Sequence, residues 1–95
     1  MRDYELVIVI SPEVGEQETS ETVDGISSFI TERGGSVTSQ EQWGVRRLAY
    51  PVQGYHEGNY FVTQFTSDPI LASELDANMV SSAEVIRHLL VKQAT

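Results

Sequence analysis

From Asp3 to Ile10 the chain alternates around a β-branched run, with Tyr4, Leu6, Ile8 and Ile10 on one side and Glu5, Val7 and Val9 on the other, as a central strand would. Ser11-Pro12 ends it. From about Gly15 the period changes. Val23, Ile26, Phe29 and Ile30 recur at helical spacing, and acids crowd the first turns, where they complement the helix dipole. Arg33-Gly34-Gly35 closes that helix with a favoured glycine cap. Ser36 to about Val52 reads as a long strand interrupted at Gly44, where the alternation changes register and a β-bulge is the economical explanation. A hairpin loop is expected from Gly54 to Gly58, and a third strand over Tyr60 to Thr66. Asp68-Pro69 supplies an N-cap with proline at the first helical position, and Leu71, Leu75 and Met79, four apart, form the buried side of a second helix. Val85 to Lys92 is a fourth strand, apolar on both faces but carrying Arg87 and His88.

The order strand, helix, strand, strand, helix, strand predicts an α+β fold of the ferredoxin-like, split βαβ type (βαββαβ), a four-stranded antiparallel sheet with both helices on one face. Aligning the strands by their apolar registers puts Leu6, Ile8, Ile10, Phe61, Thr63, Phe65, Ile86, His88 and Leu90 under the helices. The open face then holds Glu5, Val7, Val9, Tyr60, Val62, Gln64, Arg87, Leu89 and Val91. So apolar a surface marks a protein partner, with Val7, Val9, Tyr60, Val62, Leu89 and Val91 as the docking residues. A rim of Arg2, Arg87 and Lys92 is placed to add phosphate contacts. The plainer alternative is a monomer that tolerates scattered exposed valines.

Ninety-five residues make one domain, spanning 1–95, and no apolar run approaches the ~20 residues of a membrane helix. The N-terminus lacks the features of a secretory signal, so a cytoplasmic chain is expected; with no cysteine, disulfide and thiolate chemistry drop out. Fourteen acids against six basic residues give a net charge of −8, which argues against binding nucleic acid by overall charge. The distribution is uneven, however. Glu13, Glu16, Glu18, Glu21, Asp24 and Glu32 fall in the first predicted helix, whereas Arg46, Arg47, Arg87 and Lys92 fall in strands.

No catalytic constellation is legible. His56 and His88 are too isolated for a metal site, and neither a Ser-His-Asp set nor a carboxylate pair is convincing, so no enzyme, cofactor or metal is expected. The stretch Trp43-Gly44-Val45-Arg46-Arg47-Leu48-Ala49-Tyr50-Pro51-Val52 joins an aromatic, a glycine and two adjacent cations to a β-rich run without a nucleophile or phosphate loop, a combination that binds rather than reacts. A long ribbon projecting beyond the helices presents both arginines, whose planar forks suit phosphate oxygens. Trp43 and Tyr50 are expected to be structural, since large rings mostly pack and the residue before proline is held extended. Glu57-Gly58-Asn59-Tyr60-Phe61-Val62 lacks the cation and the aromatic that an RNA-recognition motif needs for stacking bases.

That ten-residue stretch closely resembles the W-G-x-R-x-L-A-Y-P-[IV] segment of the family of the sixth protein of the bacterial small ribosomal subunit, and Met1-Arg2-Asp3-Tyr4-Glu5 resembles its M-R-x-Y-E opening. The resemblance implies a structural, non-catalytic protein of the small subunit. It further implies binding to the central domain of 16S ribosomal RNA as a heterodimer with the eighteenth small-subunit protein. Arg2, Tyr4, Arg46, Arg47, Arg87 and Lys92 are then the candidate RNA or partner contacts. Gln53-Gly54-Tyr55 departs from the basic residues that commonly follow the proline in that family, which points to affinity arriving through the partner. The rival reading is a small-molecule regulatory domain on the same fold, but the turn Ser11 to Gly15 has few ligand donors.

Overall fold

A computed structural model describes residues 1–93. Its elements run β1 (Arg2–Ile10), α1 (Glu16–Glu32), β2 (Ser36–Val52), β3 (Tyr55–Ser67), α2 (Pro69–Ser81) and β4 (Val85–Lys92), and the sheet order is β2-β3-β1-β4 with every neighbouring pair antiparallel. The expected split βαβ architecture is the one observed. The helix ends form as their residues dictate. Asp68 accepts a hydrogen bond from the Leu71 amide at 2.8 Å, with Pro69 behind it, and α1 ends in a Schellman pair, Gly35 N–H to Ile30 O and Gly34 N–H to Thr31 O. Helix α1 starts at Glu16, so Glu13 lies in the preceding loop, where it accepts a hydrogen bond from the Tyr55 hydroxyl.

Beneath the helices, Tyr4, Leu6, Ile8, Ile10, Phe61, Phe65 and Val85 from the sheet meet Val23, Ile26 and Ile30 from α1 and Leu71, Ala72, Leu75 and Met79 from α2. Full burial of each such side chain contributes about 1.5–3 kcal/mol, and this layer is the main core. Hydrogen bonds frame it: Gln40 Nε2 donates to the Val23 carbonyl and to Thr63 Oγ1, and His88 Nε2 meets Asp76 Oδ1 at 3.0 Å, tying β4 to α2.

Two departures from the expected pattern of the sheet bear on its open side. The predicted loop from Gly54 to Gly58 is instead a two-residue turn, Gln53-Gly54, between the paired residues Val52 and Tyr55. Both central residues have positive φ, 52° and 83°, the mark of a type I′ turn. The polar run Tyr55 to Gly58 is therefore strand, its side chains largely in solvent, where no hydrophobic alternation reveals it. The second departure is in β4. Ile10 pairs with Val85 while Val9 pairs with Arg87, so Ile86 is the extra residue of a bulge. Val85 takes the place under the helices that alternation assigns to Ile86, and Ile86 turns to the open side, where it packs with Val9 and Leu48. At Gly44, where the sequence predicts a bulge, the ladder does slip: Trp43 is the unpaired residue and Gly44 takes a φ of 87° that suits glycine.

Candidate functional site

The open side is a grid of cross-strand rows. One row runs Val91, Glu5, Gln64; the next Leu89, Val7, Val62, Glu41; the third Arg87, Val9, Tyr60, Gly44. In the first, the Glu5 carboxylate accepts from the side-chain amides of Gln64 and Gln93. The sides assigned to Val7, Val9, Tyr60, Val62, Leu89 and Val91 agree with this register. Their exposures do not all agree. Leu89 and Val91 are 57% and 42% exposed, Val7 and Tyr60 are half-buried, but Val9 and Val62 are buried.

Val9 is covered by the chain itself. Between Arg47 and Val52, β2 advances five residues against two on β3, from Glu57 to Tyr55, so the ribbon bends sharply. It bends over the open face rather than projecting clear of the sheet: Leu48 packs on Val9 and Ile86, with Val52, Tyr55 and Tyr60 around them. Tyr50, from edge strand β2, lies against Arg87 from the opposite edge strand, β4. A side chain on Gly58 would collide with Val9 Cγ1, so glycine is what lets the ribbon settle. Val62 is enclosed differently, on an interior strand with Val7 on one flank and Glu41 on the other. What stays open is a shallow hollow of about 240 Å³ lined by Val7, Val9, Tyr60, Arg87 and Leu89, and the strip from Leu89 to Val91 beside it.

Of the six candidate contacts, Tyr4 is a core residue, 7% exposed and stacked on Phe65 with ring centroids 5.4 Å apart. Its place in the Tyr4, Leu6, Ile8 alternation outweighs its place in the opening motif. Arg2, Arg46, Arg47, Arg87 and Lys92 are all exposed, but they do not form one patch. Arg46 and Arg87 share the open side, paired with Gly58 and Val9, at the end where the ribbon crosses. Arg47 points to the other side of the ribbon. Lys92 pairs with Tyr4, on the helix-covered side, five residues and so about 17 Å along β4 from Arg87. Arg2 is on that same side at the sheet's far end.

Among the described residues none of these five cations comes within 4.0 Å of a carboxylate; Arg33 pairs with Glu74, and His88 shares a hydrogen bond with Asp76. Acids outnumber bases fourteen to six, so chance proximity would readily have paired them. The unanticipated elements are the rings. Arg46 lies over Trp43, 5.1 Å from its centroid, and Arg87 over Tyr50 at 5.4 Å, so both aromatics, expected to be structural, are exposed platforms for cations. The W-x-x-R spacing hints at the first pair; the second joins strands 37 residues apart in sequence and has no local signal.

A larger cleft, about 430 Å³, lies between α1 and the sheet, but Glu16 and Asp24 line it and no cation does, so it does not suit a phosphate. No group of three or more His, Cys, Asp or Glu side chains among the described residues is placed to hold a metal ion, and no helix there is long and apolar enough to cross a membrane.

Comparison with known proteins gives this surface its context. The family model for ribosomal protein S6 matches residues 3–92. The small ribosomal subunit protein bS6 of Moorella thermoacetica is 40% identical over 92 residues, covering 97% of this chain and 94% of the relative; that of Beutenbergia cavernae is 41% identical, with coverages of 97% and 96%. The crystal structure of ribosomal protein S6 from Thermotoga maritima superposes with a TM-score of 0.91 at 31% identity, over 97% of this chain and 87% of that one. A protein from Arabidopsis thaliana, 10% identical, has a TM-score of 0.57 and shares the fold alone. With both the ribbon stretch and the sheet that carries it inside the matched region, the chain belongs to the ribosomal protein S6 family, structural components of the small ribosomal subunit.

Proposed function

We propose that the chain binds the central domain of 16S ribosomal RNA jointly with the eighteenth protein of the small subunit, as a heterodimer, within the cytoplasmic ribosome. Leu89, Val91, Val7 and Tyr60 form the protein-docking strip, and Arg46, Arg47 and Arg87, with Arg2 and Lys92 at the far end, meet RNA or partner. The observation that carries this reading is the set of five exposed cations left without a carboxylate among the described residues of a chain of net charge −8. An arginine whose donors are unspent gives phosphate a charge-assisted, bidentate partner without first breaking an ion pair. So few cations on so acidic a chain support weak binding alone and tight binding in the pair. Filter binding to a central-domain RNA fragment at physiological salt tests this: the pair should bind far more tightly than the single chain, and equal affinities would overturn it.

A further inference from the structure

Among the described residues three arginines lie over an aromatic ring. Arg33 is 3.9 Å from the Phe29 centroid, Arg46 is 5.1 Å from Trp43 and Arg87 is 5.4 Å from Tyr50. Arg33 displays what such a stack leaves free. While its guanidinium covers Phe29, its Nε donates to Glu74 Oε2 at 3.3 Å. The ring engages the flat face of the cation, and the N–H donors, which lie in the plane, remain available at its edge. Arg46 and Arg87 lie over their rings at longer range, and among the described residues neither is bonded to a carboxylate, though the Trp43 ring under Arg46 donates its own N–H to Glu41 Oε2 at 3.2 Å.

Both platforms belong to the β2 limb of the ribbon, and the two cations come from opposite edges of the sheet. We propose that Trp43 and Tyr50 are positioning residues, holding Arg46 and Arg87 with their N–H edges outward to receive RNA phosphates. This rests on the RNA-binding reading above. A stacked guanidinium has already lost much of the freedom that a solvated arginine gives up on binding, so the ring contributes to affinity without touching the RNA. At Arg46, phosphate is favoured over a carboxylate of the partner protein by where that residue sits, whereas Arg87 borders the docking strip and its anion is decided by the test below. Arg46 is on the edge strand farthest from the apolar strip at Leu89 and Val91, so a protein docked there has no need of it. Two unspent forks on one side suit a backbone of repeating anions.

Tyr50 is 57% exposed, which makes its replacement a test of position rather than of folding. Affinity for the central-domain RNA fragment is measured with the eighteenth protein present, for Tyr50→Phe, Tyr50→Leu, Arg87→Gln and the double variant Tyr50→Leu with Arg87→Gln. Tyr50→Leu should weaken RNA binding about three- to fivefold, the scale of an exposed cation–π contact. Tyr50→Phe, which keeps the ring, should stay within about twofold of the parent. Arg87→Gln should lose more, and adding Tyr50→Leu to it should cost nothing further, because the ring acts only through the arginine. Trp43→Leu and Arg46→Gln should behave in the same way. Additive losses in the double variant would overturn the proposal, since the ring would then act on its own. It would equally fall if Tyr50→Leu left RNA affinity intact but weakened heterodimer formation, which would assign Arg87 to a carboxylate of the partner. A silent Arg87→Gln would sink the contact reading beneath it as well.

Discussion

Val62 and Leu89 stand on the same side of the sheet and in the same cross-strand row, either side of Val7, yet one is 4% exposed and the other 57%. The difference is the strand each belongs to: β3 is interior and β4 is an edge. A carboxylate at position 62 would be taken out of water with no cation to meet it. Val62→Glu should therefore destabilise the fold by about 3 kcal/mol or more, a fall in Tm of at least about 12 °C for a domain of this size. Leu89→Ser should change stability by under about 0.5 kcal/mol and weaken association with the partner instead. Thermal unfolding of both variants checks the pair, and an unchanged Tm for Val62→Glu would place that side chain at the surface. Alternation in the sequence conveys which side a residue faces; depth depends on strand order and on what crosses the sheet, neither of which is written locally. Tyr4 carries the same lesson. Its period with Leu6 and Ile8 is a statement about packing, and it prevails over a resemblance that suggested contact.

Among the elements, the ribbon is where sequence and structure diverge most. The bulge at Gly44, the glycine end of α1 and the Asp68-Pro69 start of α2 are legible because each is a local backbone requirement met by particular residues. The course of the ribbon is not, because Leu48 meets Val9 and Ile86 across long stretches of chain, and the polar β3 segment Tyr55 to Gly58 shows no apolar period. Its closeness to the sheet depends on one missing side chain. Gly58→Ala would set a methyl against Val9 Cγ1, and the expected cost is about 1–3 kcal/mol of overpacking. Hydrogen exchange should speed up around Leu48 and Ile86 while α1 and α2 keep their protection; uniform loss across the chain would mean that the ribbon is part of the global folding unit. At the turn, Gln53 sits at a φ of 52° that asparagine adopts more readily. Gln53→Asn should thus raise stability by a few tenths of a kcal/mol, detectable as a small rise in the denaturant midpoint at unchanged slope.

On the scale of the whole molecule, acids lie on both layers, Glu5 and Glu41 sharing the open side of the sheet with the arginines. Glu16, Glu18, Glu21 and Asp24 are exposed on α1, on the helix side, while Arg46 and Arg87 occupy the open side of the sheet. These four acids act on an RNA at the open face from behind the sheet, and their effect there fades as the Debye length falls from about 30 Å at 0.01 M salt to about 8 Å at physiological ionic strength. The α1 share of the acidity that argues against nucleic-acid binding by composition is therefore a screened term at the open face, where Glu5 and Glu41 remain. Replacing the four acids together, Glu16→Gln, Glu18→Gln, Glu21→Gln and Asp24→Asn, removes four negative charges and takes the net charge from −8 to −4. With the partner present, this variant should bind RNA within about twofold of the parent at physiological salt and several-fold more tightly at about 0.01 M, as screening is withdrawn. A salt series with both proteins decides it. A large gain already at physiological salt would mean that α1 itself approaches the phosphate backbone, and the contact surface would then have to be sought on the helix side of the sheet, where Arg2 and Lys92 lie.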